Sequence, residues 1–339
     1  MIDQSSIYPR AIWRATLNGQ DLTARLNPRL MSLSLSENRG DEVDQLDIEL
    51  TDHDGLLELP PLGAELRLFL GWSDTGLIDK GSFRIDEITH AGTPDVITLM
   101  GRSADMSGPL RTRTERSFHD RSIAQVIEEI AAANNLKTSV DKQIGKIKIP
   151  HIDQTNESDA AFLKRIGDRY DAVATIKDGN LLFLPITGSR TASGQEIPVI
   201  QLQRKDGDQH SYHQASRDSY TGVKAKWTDI KTGHSKNVLV GVTGNTKTLR
   251  YSFANEADAL AEAQAEWQRI RRGEETMSYA LAYGRPDLGV QVKVQIRGLK
   301  SAIDGHKWLI KKISHRLDGD GGMVTLLELE SEKSESLDV

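Results

Sequence analysis

The sequence contains no cysteine, which excludes disulfide bonds and thiolate chemistry and is compatible with a reducing cytosol. It has no positive excess, and a net charge of −6 argues against general binding to nucleic-acid phosphates. Its apolar runs are short, as in LLFLPI at 181–186, whereas a membrane-spanning helix needs roughly 20 residues. The N-terminal MIDQSSIYPR lacks the basic-then-apolar pattern of a secretion signal. These absences predict a soluble protein with no membrane insertion and no export signal.

What is present is a chain of 339 residues, 37% of them hydrophobic, which suits two or three domains. Two stretches resemble each other: FRIDEITH at 83–90 and WLIKKISH at 308–315, an offset of 225 (308 minus 83). Further along, Thr98 and Leu99 correspond to Thr325 and Leu326 at an offset of 227 (325 minus 98). Ordered blocks with matching gaps predict two copies of one structural unit.

Each copy reads as a β-meander. ELRLFL at 65–70 and VQVKVQI at 290–296 alternate between apolar and polar positions, as half-buried strands do. A β-branched strand, a turn and another strand follow in both copies, which favours a sandwich or small barrel. A duplicated antiparallel barrel is the natural inference. Three such chains around an axis would present six similar units.

Between the copies the pattern changes to α+β. Ser122 and Gln125 have the spacing of a capping box before an apolar helical stripe. Asn156 is predicted to cap a second helix, and ATIKDGNLLFLP at 174–185 reads as a hairpin. A third helix is predicted at 255–273, with an Asn255 cap and an apolar stripe. The stripe comprises Leu260, Ala263, Trp267 and Ile270.

These patterns divide the chain into four parts. They are a first β-barrel domain at 1–106, an α+β middle domain at 107–190, a second β-barrel domain at 191–330 with the inserted helix 255–273, and a flexible tail at 331–339. Pro185 and the polar stretch 187–195 are interpreted as a linker. The predicted fold class is therefore α+β, mainly β.

Three stretches carry a resemblance to a known family: RSFHDRSIAQVIEEIAAANNL, QTNESDAAFLKRIGDRYDAVATIKDGNLLFLP, and GRPDLGVQVKVQI with the later HKWLIKKISH. They resemble the phage late control gene D family, the tail baseplate hub proteins of contractile phages and phage-tail-like bacteriocins. The resemblance runs from about residue 8 to 330 and extends to the N-terminal hub region of type VI secretion spike proteins.

The resemblance implies tube-like barrels and a homotrimer that joins a trimeric tail spike to the sixfold tail tube. Tape-measure and baseplate wedge proteins are further implied partners. It also implies assembly in the bacterial cytoplasm and a place in the phage or bacteriocin particle. No specific nucleic acid and no cofactor are expected.

No catalytic or metal constellation stands out, so the chain is predicted not to be an enzyme. His210, His213 and Asp218 could bind a metal, but a polar surface explains them better. DHDGLLE at 52–58 lacks the calcium-loop pattern and reads as a turn. His90 and His315 recur at equivalent positions, which a duplicated fold constraint explains better than two active sites.

Two candidate contact sites remain. Leu56, Leu57 and Leu59 lie in a loop bounded by glycine and proline, either packed under their own barrel or against a neighbouring subunit. The second site is a basic cluster at a domain junction or lumen, comprising Arg111, Arg113, Arg116 and Arg121.

Two other functions stay open. The middle region could be a glycan-binding module acting at the target cell wall, although no aromatic cluster for sugar stacking is evident. A DNA-binding late-gene regulator is the other alternative, although no helix-turn-helix pattern supports it.

Overall fold

The computed structural model describes residues 8–40, 43–104, 108–177, 179–186, 195–215, 220–229, 232–319 and 322–332. Strands outnumber helices among these residues, which confirms the prediction of an α+β protein that is mainly β. Within the same residues no helix is both long and apolar enough to cross a membrane.

The N-terminal region is built from antiparallel strands. Its elements are β1 (Ala11–Leu17), β2 (Gln20–Asp21), α1 (Thr23–Leu26), β3 (Leu30–Asn38), β4 (Gln45–Thr51), β5 (Glu65–Trp72), β6 (Gly76–Ala91) and β7 (Val96–Ser103). Alternate residues point to one core, as the pleat of a strand requires. Leu66, Leu68 and Leu70 of β5 are all buried, which confirms the alternation predicted for this strand.

The middle region combines two small sheets with two helices. Its elements are β8 (Arg113–Ser122), α2 (Ile123–Ala133), β9 (Lys137–Val140), β10 (Lys148–Ser158), α3 (Asp159–Arg169), β11 (Ala172–Lys177) and β12 (Asn180–Pro185). β8 pairs with β10, while β11, β12 and β9 form a three-stranded sheet. Ser122 and Gln125 form the predicted capping box of α2, and β11 and β12 form the predicted hairpin.

The predicted cap of the second helix is wrong by two positions. Ser158, not Asn156, precedes α3, and its hydroxyl accepts a hydrogen bond from the Ala161 backbone N–H. Asn156 lies within β10 with a φ of 48°, where the pairing register with β8 shifts between Gln154 and Glu157. The irregularity carries the strand two residues further before the helix begins.

The C-terminal region returns to strands and contains an insertion. Its elements are β13 (Ile200–Gln203), β14 (Gly207–Gln214), β15 (Gly222–Thr228), β16 (Ser235–Gly241), β17 (Thr246–Phe253), α4 (Glu256–Gly273), β18 (Glu275–Leu281), β19 (Lys293–Arg297), α5 (Ser301–Asp304), β20 (Trp308–Asp318) and β21 (Met323–Ser331). The insertion is larger than a helix, because β16, β15 and β17 form a separate sheet beneath α4.

Asn255 caps α4 as predicted, by accepting a hydrogen bond from Asp258 N–H at 2.8 Å. The apolar stripe is only partly right. Ala263 is buried against β15 and β16, but Leu260 is exposed, and Ala259 takes its place in the core.

At the C-terminus, β21 continues through the buried Ser331, the first residue assigned to the tail. Residues 187–194 of the predicted linker and 333–339 of the tail lie outside the described residues. The four domain boundaries stay predictions.

The N-terminal and C-terminal strands belong to one 13-stranded sheet, in the order β14-β18-β21-β20-β3-β4-β7-β6-β5-β1-β2, with β19 and β13 branching from β20. β3 and β20 join the two halves by antiparallel pairing from Lys312 opposite Asn38 to Asp318 opposite Ser32. Closed barrels were expected, but the described strands close none. Because β3 and β20 pair with each other, the two halves share one sheet.

The strand order β5-β6-β7-β4-β3 in the first half matches β19-β20-β21-β18-β14 in the second. The pairing register matches in detail. β6 shifts against β7 between Ile85 and Glu87, and β20 shifts against β21 between Ile310 and Lys312, the same positions at an offset of 225 (310 minus 85). On the following strand the register equates Leu99 with Leu327, an offset of 228 (327 minus 99), so the predicted 227 was one residue short.

Candidate functional site

The loop between β4 and β5 is held rigidly at its start. The Asp52 carboxylate accepts a hydrogen bond from Leu57 N–H at 3.0 Å, and Asp54 accepts one from Leu56 N–H at 3.2 Å. Arg29 donates to Asp54 at 2.7 Å, and this hydrogen bond holds the pKa of Asp54 well below its ordinary range. The segment DHDGLLE is therefore a hydrogen-bonded turn, as its sequence predicts.

Beyond this turn the loop presents apolar side chains to solvent. Leu56 is 69% exposed, Leu59 55% and Leu62 67%, while Leu57 packs against the core of the N-terminal region. The predicted trio therefore divides: Leu57 packs inward, Leu56 is exposed, and Leu59 is more than half exposed although it also borders the space beneath the loop. Leu62 was missed, although it stands in the same LLELPPLG stretch and meets the same criterion of an apolar residue in a turn-rich loop.

The inner side of the loop covers an apolar cavity of about 250 Å³ at the end of the first half of the sheet. Leu57, Leu59 and Pro60 line it from the loop, and Leu26 and Leu66 line it from the core. Gly63 N–H donates to the Ile85 carbonyl at 2.7 Å and anchors the far end of the loop. Exposed leucines on an anchored loop form a preshaped apolar surface, which we call the leucine loop (residues 56–62).

The four arginines of the predicted basic cluster do not form one patch. Arg116 donates to the buried Asp159 at 2.7 Å and is committed to the interior of the middle region. Arg113 and Arg121 are exposed at opposite ends of β8, roughly 26 Å apart at 3.3 Å per residue. Arg111 is exposed just before the strand. The prediction of a joint site for all four is unsupported by this arrangement.

The other chemical candidates are dispersed. His210 and His213 are exposed on β14, three positions apart and so on opposite faces of the strand, and Asp218 lies outside the described residues. In the part of the chain that the structure describes, no group of three or more histidine or carboxylate side chains could hold a metal ion.

A buried polar chain crosses the junction of β3 and β20. His315 is fully buried, with Nδ1 2.8 Å from Thr325 Oγ1 and Nε2 3.2 Å from Glu37 Oε2. The Lys80 ammonium lies 2.6 Å from the same carboxylate. Burial would raise the pKa of Glu37, but His315 and Lys80 outweigh it and hold that pKa below its ordinary value. Burial lowers the pKa of His315, which favours the neutral imidazole.

His90 does not share the environment of His315. Its side chain is 47% exposed and stands 4.0 Å from Asp52, and its partner across the strands is Ile97, where His315 faces Thr325. The interpretation of both histidines as one repeated constraint is therefore wrong, because only the second copy has a hydroxyl to bond. The histidine of the second copy instead joins the two halves of the sheet.

A second ionic network connects all regions of the chain. Arg272, at the end of α4, donates to both carboxylate oxygens of Asp171 in the middle region at 2.5 Å each. Its Nε lies 3.1 Å from Glu330 on β21, and Glu330 in turn accepts from Arg39, which follows β3. The charged side chains are nearly buried, so they fix the insertion and the middle region against the sheet.

Proteins of known structure and proteins of known sequence both resemble this chain. The 43 kDa tail protein of prophage MuSo2 from Shewanella oneidensis has a similar structure, with a TM-score of 0.71 at 15% identity, covering 94% of this chain and 97% of that one. The Escherichia coli c3393 protein, a component of the type VI secretion system, aligns with a TM-score of 0.55 at 10% identity, covering 96% of this chain and 77% of that one.

A relative of closer sequence is the probable baseplate hub protein of Escherichia phage 186, which is 41% identical and covers 94% of this chain and 92% of its own length. The family model described as phage tail baseplate hub (GPD) matches residues 42–321. The chain belongs to the phage tail baseplate hub (GPD) family.

Proposed function

We propose that the protein is the trimeric hub of a contractile phage tail or phage-tail-like bacteriocin, where it joins a threefold spike to the sixfold tail tube. The observation that carries the proposal is the repeated strand order and the equivalent register shifts of the two halves. If the halves are duplicated units, three chains present six similar surfaces to a sixfold ring.

The leucine loop gives the proposed ring its alternating interfaces. The second half has Arg-Pro-Asp-Leu-Gly at the corresponding place, where Arg285 pairs with Asp287 at 2.6 Å and Leu288 is buried. One half thus offers an anchored apolar loop and the other a closed ionic turn. Two kinds of contact that alternate around six positions would convert threefold into sixfold symmetry. Exposed leucines would supply affinity there, and charges would set the register.

The proposed role is mechanical. The trimer would assemble in the bacterial cytoplasm, bind the spike on one face and template the first ring of tube protein on the other. Tape-measure and wedge proteins are the further proposed partners. Catalysis has no part in it, and the homologous phage 186 protein is named for its place in the baseplate.

Native mass spectrometry of the purified chain, alone and with its spike protein, tests the proposal. We expect three copies of this chain per spike trimer, and addition of tube protein should give a first ring of six tube subunits. A stable monomer or a hexamer in the spike complex would overturn the adaptor role. Retention on immobilised peptidoglycan would instead favour the glycan-binding alternative, and a specific shift of duplex DNA would favour the regulator.

A further inference from the structure

The surface of the β8–β10 ribbon carries two histidines that face each other across the strands. His119 of β8 is directly opposite His151 of β10, and their Nδ1 atoms are 3.0 Å apart. The rings lie 4.5 Å apart at 26°, and both side chains are solvent-accessible. No element of the sequence-based prediction or of the hub role uses them.

The next pair on the same face completes an ordered group. Asp153 is opposite Ser117, and its Oδ1 accepts a hydrogen bond from the Ser117 hydroxyl at 2.7 Å. Its Oδ2 lies 2.9 Å from His151 Nε2. With Ser117 donating to one oxygen of Asp153, the other oxygen is positioned to accept a hydrogen bond from His151 Nε2–H.

This arrangement fixes the tautomer of His151. With its proton on Nε2, the imidazole keeps a lone pair on Nδ1, close to Nδ1 of His119. A metal-bound histidine usually donates its other ring N–H to a carboxylate, which orients the ring and raises its basicity. Asp153 has that position, and Ser117 in turn holds Asp153.

We propose that His119 and His151 bind a divalent transition-metal ion of the zinc class through their Nδ1 atoms, with Asp153 as the outer carboxylate. Imidazole nitrogen bonds Zn²⁺ at about 2.0–2.1 Å, so two nitrogens on a tetrahedral ion lie roughly 3.4 Å apart. The observed 3.0 Å needs only a slight separation of the rings. On binding, His119 gives its Nδ1 proton to water and takes one up on Nε2, so both imidazoles stay neutral, and water fills the remaining coordination positions.

The ion would link β8 to β10, which form a sheet of only two strands. Zn²⁺ binding to the tag-free full-length chain, measured by competition with a chromophoric chelator, is the direct test. We expect one ion per chain, with affinity at least tenfold weaker in His119→Ala and in His151→Ala. Asp153→Asn should weaken binding by about tenfold, as removal of an outer-shell carboxylate does.

The double variant His210→Ala/His213→Ala is the matched control, because it removes two exposed histidines that lie on opposite faces of one strand. Its Zn²⁺ affinity should equal that of the wild type. Added Zn²⁺ should also shift the imidazole nitrogen resonances of His119 and His151 and slow amide exchange in β8 and β10. Equal Zn²⁺ binding by the wild type and the His119→Ala and His151→Ala variants, or none at all, would overturn the proposal.

Discussion

Arg272 at the end of α4 donates two hydrogen bonds of 2.5 Å to Asp171 of the middle region, 101 residues away in the sequence. The same guanidinium contacts Glu330 of the main sheet, which also accepts from Arg39. The insertion, the middle region and both halves of the sheet therefore meet at one nearly buried ionic group.

Replacement of Arg272 with methionine should destabilise the protein strongly. Asp171 would lose its cation in a poorly solvated site, and breaking a buried pair in this way costs about 3–5 kcal/mol. Chemical denaturation of the purified variant measures this free energy of unfolding. Arg269→Met is the control in the same helix, since its exposed pair with Glu266 is worth about 1 kcal/mol or less. Equal changes in the free energy of unfolding would show that the buried network stabilises the protein no more than an exposed ion pair does.

The leucine loop should serve assembly and contribute little to folding. We expect the triple variant Leu56→Ser/Leu59→Ser/Leu62→Ser to change the free energy of unfolding of the monomer by about 0.5 kcal/mol or less, because these side chains are exposed. The trimer, or its complex with the spike, should dissociate at markedly higher protein concentration, which analytical ultracentrifugation measures.

Leu57→Ser is the matched control for the loop, because Leu57 packs inward. It should destabilise the monomer by about 1–2 kcal/mol, part of the value of a fully buried leucine. Normal assembly of the triple variant would remove the leucine loop from the interface. Unfolding of the triple variant would show that the exposed leucines belong to the core.

Asp44 should make stability depend on pH. Burial raises its pKa to about 6, although the Asn38 backbone N–H opposes the shift, and the nearby Glu37 charge adds to it. Since the folded pKa exceeds the unfolded value, the contribution of Asp44 to stability is full below about pH 4 and is lost as pH rises through 6. Asp44→Asn should therefore stabilise the protein at pH 8, by up to about 3 kcal/mol, and have little effect at pH 4. A pH-independent effect of the substitution in thermal unfolding would contradict this assignment.

Thr325→Val tests the polar chain at the junction of β3 and β20. Valine keeps the shape but removes the hydroxyl that contacts His315 and accepts the Arg285 N–H, leaving buried polar groups without partners. We expect a loss of about 1–3 kcal/mol in the free energy of unfolding. Thr98→Val on β7 is the control, on a strand of the other half and outside that polar chain, and should be nearly neutral. A Thr325→Val variant as stable as this control would mean that the buried hydrogen bonds of Thr325 contribute little to stability.

Local features of the fold follow from the sequence because local chemistry determines them. The capping box of Ser122 and Gln125, the alternation in β5 and the β11–β12 hairpin each depend on residues a few positions apart. The cap predicted at Asn156 was wrong, because a register shift in β10 extends that strand and moves the cap to Ser158.

Long-range contacts could not be read from these patterns. In the sequence, nothing distinguishes Arg116 from an exposed arginine. In the structure it donates to the buried Asp159, which is 43 residues later in the chain. The separate sheet under α4 was missed, although β15 alternates between Val223 and Ala225 on the helix side and lysines on the other face. The pairing of β3 with β20 depends on how two distant halves meet, and no local signal encodes that.

The pairing of β3 with β20 also determines when the sheet can be completed during synthesis. Ser36 of β3 contacts Ser314 of β20, which is 278 residues later in the chain. One edge of β3 therefore stays unpaired while most of the protein is being synthesised. At 5–20 residues per second, the delay is on the order of 15–55 s. Throughout it, β3 presents unpaired backbone groups that another nascent chain can bind. A ribosome that stops before β20 therefore releases a fragment with an open strand edge, and such fragments are prone to aggregate.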